Sequence, residues 1–450
     1  MKDGFMLAVL ENYGHPLKNK NATLTEQRRA YARILAEREL HSYNRALPAQ
    51  KRAEMSLQRL SGLVDHAYRT SEIYRELYQK AGFSPGSIRT YSDFCSLPWI
   101  DKELLLRISA EMTEREDIDR SHRCFTSGST GRPLTLYNDH DRQIGWYASR
   151  FVMFEQMLER PLRDGERILI YSFESYMFDN ILGRWPTYAI DLKTPPDVAA
   201  NLIRDLRPTV VSGYSSRLIE LSKYLPDAAE IGVELFSTRS ESSTKQEREA
   251  ASRAMGGVRV LDKYASEECG LIAFEEPTGG YRLLTHSCFL EADVEDLPFG
   301  NVLLTDFHSF SMPRIRYSQG DFVVGIDKLD AGLASSFSRI EGRQDMMLLS
   351  PKGQRIPPSV ILGIIENHVL TGGCYVKEFR IIQDAPADVK IMYTPLDAEE
   401  DRVSEVINKC AADIRLVMGG ECNVTPVGVP KIPILGRKRR CIVRNFALSS

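Results

Sequence analysis

From Leu57 through Leu60, Val64 and Ala67, apolar residues recur at three- and four-residue spacing, and Ile73 and Leu77 extend the series. That period predicts one or two amphipathic helices near the start of the chain, ended by Gly82, Pro85 and Gly86. Beyond residue 160 the pattern changes to short apolar runs: RILIY at 167–171, TVVSGY at 209–214, VRVLDKY at 258–264 and NVLLTD at 301–306. Helical spacings at Val198–Leu206 and Leu218–Leu225 separate the first three, so strands alternate with covering helices and a large α/β body is expected. A second change falls near residue 343. A helix is expected at Ser359–His368, strands at Tyr375–Ile382 and Val389–Tyr393, a long helix at Asp397–Met418, and a last strand near Val424. Roughly a hundred residues of mixed β and α suit a small separate domain. The expected organisation is a domain at 1–343, its first 110 residues a helical lead-in, and a small domain at 344–450.

Composition narrows the function classes. The 450 residues carry 58 basic against 61 acidic side chains, a net charge of −3, which points to neither a nucleic-acid backbone nor a membrane surface as partner. Basic residues concentrate at GRKRR, 436–440, as either a solvated tail or part of a site. The apolar stretch Phe5–Leu10 is broken by Glu11 and followed by no cleavage-site pattern, so no secretory signal is expected, and no run of 18 apolar residues would span a membrane. The eight cysteines form no CxxC pair, a pattern suited to reduced thiols in a cytoplasm.

The segment CFTSGSTGRPLTLY, 124–137, interleaves Gly128 and Gly131 with Thr126, Ser127, Ser129 and Thr130. Such a loop curls tightly and turns amides and hydroxyls toward one spot, as phosphate oxygens require. By itself it reads more readily as a plain glycine-serine turn. It is not a Walker loop, since GxxxxGK[ST] is absent.

This loop resembles the TSGSTGKP phosphate loop of the adenylate-forming (ANL) ligases, and in particular the phenylacetate-CoA ligase-like family, with Arg132 in place of the lysine. The resemblance continues in order along the chain. LVDHAYRTSEIYRELYQKAG (63–82) and LPWIDKELL (97–105) are similar to the lead-in, VSGYSSRLIELSKYL (211–225) to the strand and helix beside the acyl pocket, and TRSESS (238–243) to a glutamate turn. KYASEECG (263–270) resembles YGxTE, PRIRYSQGD (313–321) resembles the RYrtGD segment, EGRQDMMLL (341–349) resembles GRxDDML, and GRKRRCIV (436–443) resembles GKxRRvi.

The resemblance implies a large multi-sheet α/β domain with a small mobile α+β lid, and an acid activated by ATP as an acyl-AMP before transfer to coenzyme A. An amine or a carrier-protein thiol is the alternative acceptor, and a noncatalytic nucleotide- or acid-binding relative the alternative class. By the same matches Thr126–Gly131 hold the phosphates, Tyr264 stacks near adenine, Glu268 helps hold Mg²⁺, Asp321 takes the ribose hydroxyls, and Arg343 contacts the ribose or phosphate side. Asp345 is the hinge. Lys438, with Arg437 second, supplies the cation over the α-phosphate. Ala265, Ser318 and Met346 depart from the pattern. Glu276 and Arg282 stand where relatives place a cysteine and a histidine, and serines at 335–338 where a CxC is usual, so no structural zinc is expected; Cys269, His286 and Cys288 are expected to pack. Tyr171, Trp185 and Tyr214 are candidates to line a flat pocket for an aryl acid, or to be core. His140 and His308 receive no role. The chain is expected to work in the cytoplasm on a small carboxylic acid, and a homodimer is left open.

Overall fold

The computed structural model describes residues 23–114, 122–125, 134–172, 181–241, 243–293, 300–328, 333–370, 376–395, 400–433 and 441–446. They divide into two compact units. The first runs to Glu291 and takes in Leu303–Gln319 and Ile326–Ser338; the second is built mainly from Gly320–Gly325 and Arg339 onward.

The first unit opens with helix Leu24–Ala46, started by a reciprocal Thr23/Glu26 capping box. Helices Ala49–Thr70 and Glu72–Lys80 follow, over the apolar series read from Leu57. Asp101 caps helix Lys102–Met112 by accepting the Leu104 amide at 2.8 Å. Strands β1 (His122–Phe125) and β2 (Thr135–Asn138) form an antiparallel pair. Helix His140–Leu158 follows.

The central sheet comes next. β3 (Ile168–Ser172), β4 (Thr187–Asp191), β5 (Val210–Tyr214), β6 (Leu235–Arg239) and β7 (Arg259–Ser266) are parallel, joined by helices including Pro196–Leu206, Ser215–Leu221 and Lys245–Ala254. β8 (Gly270–Glu275) and β9 (Tyr281–Leu283) continue it antiparallel. β10 (Cys288–Asp293), β11 (Gly300–Asp306) and β12 (Tyr317–Val324) follow in the chain, and β13 (Asp327–Lys328) and β14 (Ala334–Phe337) return to complete nine strands in the order β13-β14-β9-β8-β7-β6-β5-β3-β4. Both faces of the parallel part are covered. Leu169, Tyr171, Ile190, Val211 and Phe236 pack on one side and Ile168, Ile170, Ala189, Val210 and Leu235 on the other, which is why these strands read as continuous apolar runs. The order reverses between β3 and β5, so their carboxyl ends frame the kind of crevice where open α/β sheets bind ligands.

In the second unit β15 (Arg339–Arg343) pairs antiparallel with the end of β12. A short pair, β16 (Leu348–Leu349) and β17 (Arg355–Ile356), leads to helix Pro358–Ile365. β18 (Val376–Ala385), β19 (Asp388–Pro395), β20 (Asn423–Gly428) and β21 (Ile442–Arg444) form a sheet in the order β20-β19-β18-β21. That sheet shares one core with helix Pro358–Ile365 and with helix Glu400–Val417, through Ile361, Ile381, Ile391, Ile407 and Ile414. Among the described residues no helix is long and apolar enough to cross a membrane.

Candidate active site

The hairpin β1–β2 and the β7–β8 turn that carries Glu268 are tied together by buried arginines. Arg142, 4% exposed on helix His140–Leu158, donates from Nη2 to the Glu268 carbonyl at 3.0 Å and from Nε to Asp306 Oδ2 at 2.8 Å. Arg314, 0% exposed, donates to Asn138 Oδ1 at 2.5 Å and to Ser309 Oγ. Asn138 in turn donates to the Cys124 sulfur at 3.5 Å across the pair, just before the glycine-rich segment in the sequence. Two cations and one anion are thus enclosed between the loop's own strands and the acidic turn.

Electrostatics follow from that enclosure. Burial raises the Asp306 carboxyl, but the attraction of Arg142 and then Arg314 outweighs it and holds its pKa below the ordinary value. Burial, reinforced by repulsion from Arg142, pushes Arg314 down to about 10, so it remains charged at neutral pH. Burial raises the Cys124 thiol. The half-buried Glu268 lies within this field, because its charge acts on both Arg314 and Cys269.

Sequence reasoning missed Arg142, Asp306 and Arg314. Arg314 and Asp306 lie within the PRIRY and NVLLTD segments, yet a charged residue in a lone sequence reads as surface. The neighbouring Arg316 adopts a left-handed φ of 51° and donates to Leu97 O and to both oxygens of Glu291, while its own carbonyl accepts the Ile100 amide at 3.1 Å. The LPWIDK and PRIRY segments are therefore neighbours in the fold.

Tyr264 lies on β7, 7% exposed; its hydroxyl accepts from Gln319 Nε2 at 2.6 Å and its ring meets Phe337 edge-on. Tyr214 ends β5 with the Arg239 guanidinium 5.8 Å from its ring centre. Glu241, just after β6, accepts the Ser216 amide at 3.1 Å and caps the helix that follows β5. Gly213 allows close approach here, since a Cβ would sit 2.9 Å from the Tyr171 carbonyl.

The three aromatic candidates do not line one pocket. Tyr171 is fully buried with its hydroxyl bonded to the Thr194 carbonyl, and burial raises that hydroxyl to about 12. Trp185 packs in the core on the opposite face of the sheet, against Phe151 and Tyr31. Only Tyr214 stands at the carboxyl end of a strand. The correction has a simple cause: Tyr171 on β3 and Trp185 just before β4 enter the cores on opposite faces of the sheet, and sequence spacing alone cannot assign the side.

In the second unit β12 and β15 set Asp321 opposite Arg343, with Arg343 Nε 3.7 Å from Asp321 Oδ1 and 3.5 Å from Asp345 Oδ1. Asp345 sits in a 3₁₀ turn, Gln344–Met346, whose carbonyl of Gln344 and neighbouring carbonyl of Met347 accept from Arg444. Gly342 occupies φ 129°, with Pro358 at 2.8 Å from where a Cβ would lie; only glycine fits that turn. Thr126, Ser127, Gly128, Ser129, Thr130, Gly131, Arg437 and Lys438 lie outside the described residues.

Glu276 and Arg282 form a bidentate ion pair at 2.6 and 3.0 Å, and Arg282 stands opposite Ser336 in the β9–β14 pairing. Among the described residues no three His, Cys, Asp or Glu side chains converge as a metal set. His286 bonds Glu37 at 2.9 Å in a buried polar cluster that also holds His41 and His308. Burial lowers both His41 and His308 to about 4. Their folded values lie below the unfolded one, so the neutral form carries the stability, which is full above about pH 6.5 and is lost as pH falls toward 4. By pH 5 each is expected to withdraw about 2 kcal/mol. Unfolding followed from pH 7 to pH 5 should show this, and replacing His308 with glutamine should flatten the slope by about half.

No family model matches the chain. The phenylacetate-coenzyme A ligase of Thermus thermophilus is 25% identical over 355 residues, covering 71% of this chain and 76% of the relative. That of Escherichia coli is 26% identical over 338 residues, covering 68% and 74%. Among solved structures, a 2-hydroxyisobutyryl-CoA ligase in the postadenylation state, in complex with an acyl-AMP, superposes with a TM-score of 0.72 at 18% identity, over 89% of this chain and 90% of that one. That likeness establishes the fold.

Proposed function

We propose, from the premise that the chain belongs to the phenylacetate-CoA ligase-like family of adenylate-forming ligases, that it activates a small aryl carboxylic acid with ATP and passes the acyl group to coenzyme A. A substrate carboxylate oxygen attacks the α-phosphorus, the bond to the bridging oxygen breaks, and pyrophosphate leaves. The thiol sulfur of coenzyme A then attacks the acyl carbon, losing its proton, and AMP departs. No covalent enzyme intermediate is needed, so the chain's task is to position groups and neutralise charge.

The observation that carries this reading is the buried tie from the hairpin around 126–133 to the Glu268 turn through Arg142, Asp306 and Arg314. It supports a fixed frame on which the strands flanking residues 126–133 stand near a carboxylate. Glu268 is a hard oxygen donor at a half-exposed turn, the donor type that Mg²⁺ prefers, and would be the residue to hold that ion. When bound, the ion supplies charge neutralisation at the phosphates. We assign adenine to the Tyr264 side, the ribose hydroxyls to Asp321, whose carboxylate accepts two hydrogen bonds, and the sugar or phosphate to Arg343. Lys438, with Arg437 second, supplies the mobile cation, and Asp345 the turning point. Tyr214, at the carboxyl end of β5, is the remaining aromatic candidate for the acid pocket.

The test is turnover with a panel of aryl, hydroxy-aryl and short aliphatic acids, following pyrophosphate and the mass of the acyl product. An aryl acid is expected to give AMP, pyrophosphate and a thioester. If no acid supports AMP formation, the reading falls; if an adenylate forms but only an amine or a carrier-protein thiol accepts it, the acceptor assignment alone changes.

A further inference from the structure

The first unit contains a cavity of about 30 Å³ between helix Leu24–Ala46, the start of helix Ala49–Thr70, and β9 with the residues after it. One water needs roughly 10–15 Å³, so this space admits a small polar ligand. Its wall includes His41, Arg45, Arg52, Arg282, Thr285 and His286, and among the described lining residues none is a carboxylate.

Charge on this wall is only partly answered. Arg282 is paired with Glu276, and His286 with Glu37. Among the described residues Arg45 meets the Gln156 side-chain oxygen at 2.9 Å and Arg52 the Asn44 carbonyl at 3.3 Å, both neutral acceptors. His41 is 5% exposed, with Nε2 buried and lacking a hydrogen-bond partner, and Arg52 Nε is in the same condition. Buried polar groups left without a partner are uncommon and costly, and two on one cavity wall call for a ligand.

We propose that this cavity is a binding site for a small phosphate-class oxyanion. Guanidinium groups present planar pairs of donors that match phosphate oxygens, and an anion among Arg45, Arg52 and Arg282 offsets their mutual repulsion. A cationic ligand would face three guanidinium groups with no carboxylate among the described lining residues. None of these residues has a part in the proposed adenylation, so the site stands apart from that reaction and does not depend on it.

The full-length protein would be titrated with inorganic phosphate at constant ionic strength, following thermal stability for the parent, Arg52→Gln and Arg45→Gln. Phosphate is expected to raise the parent's Tm saturably, with at least tenfold weaker apparent affinity in each variant. A parent without a saturable response, or variants that respond as the parent does, would overturn the proposal. Should a variant fail to fold, the ¹⁵N imidazole resonances of the parent decide. The His41 signal is expected to shift with phosphate, and a His41 signal that stays still through the titration counts against the site.

Discussion

Exchange of Glu268 for glutamine is expected to lower ATP–pyrophosphate exchange by about 10²–10³-fold, the usual loss when one preorganised electrostatic contact to a developing charge is removed. The fold should survive. The turn has ties that glutamine leaves intact: Arg142 bonds the Glu268 carbonyl at 3.0 Å, the Cys269 amide donates to Ser266 Oγ at 3.0 Å, and Gly270 turns at φ 71° against Trp146. Glutamine keeps the size and one oxygen but loses the negative charge that a hard divalent cation prefers. The defect should therefore ease as Mg²⁺ is raised, with little change in the dependence on the acid. Exchange within twofold of the parent at every Mg²⁺ concentration would show that Glu268 has no part in binding the nucleotide's cation.

Much of the fold was legible because its strands are buried on both faces. RILIY, TVVSGY, VRVLDKY and NVLLTD all match strands to within a residue or two at either end, as Ile168–Ser172, Val210–Tyr214, Arg259–Ser266 and Gly300–Asp306. The helix at Leu218–Leu225 is shorter and earlier, Ser215–Leu221, because Glu241 caps its start from a distant turn that periodicity cannot see. The antiparallel half of the sheet was not read at all. β9 and β14 have only three and four residues, YRL and ASSF, each interrupted by polar side chains, so neither offers an apolar run. The site divides along the same line. Tyr264, Glu268, Asp321 and Arg343 were found through motifs, whereas Arg142, Asp306 and Arg314 come together from 142 to 314 along the chain and carry no local signature. Trp185 shows the opposite failure, an aromatic just before β4 that packs into the core on the other face of the sheet.

Replacement of Asp306 by alanine is expected to destabilise the protein by about 3–5 kcal/mol, because it leaves Arg142 and Arg314 buried without their common counter-charge. Both guanidiniums are at most 4% exposed, so water cannot take over the role of Asp306. Restoring the balance requires removing all three charges together. The triple variant Arg142→Met, Asp306→Leu and Arg314→Met replaces an ion cluster by packed apolar groups, an exchange that is often neutral or stabilising. Its unfolding midpoint is expected to return close to the parent's, while adenylation stays impaired, since the bonds from Arg142 to the Glu268 carbonyl and from Arg314 to Asn138 are gone. That divergence between stability and turnover separates a frame for the phosphate loop from a merely structural ion cluster. Unfolding curves and pyrophosphate-exchange rates on the two variants check it. A triple variant that is stable and fully active would mean that the hairpin and the acidic turn hold their places without the buried charges.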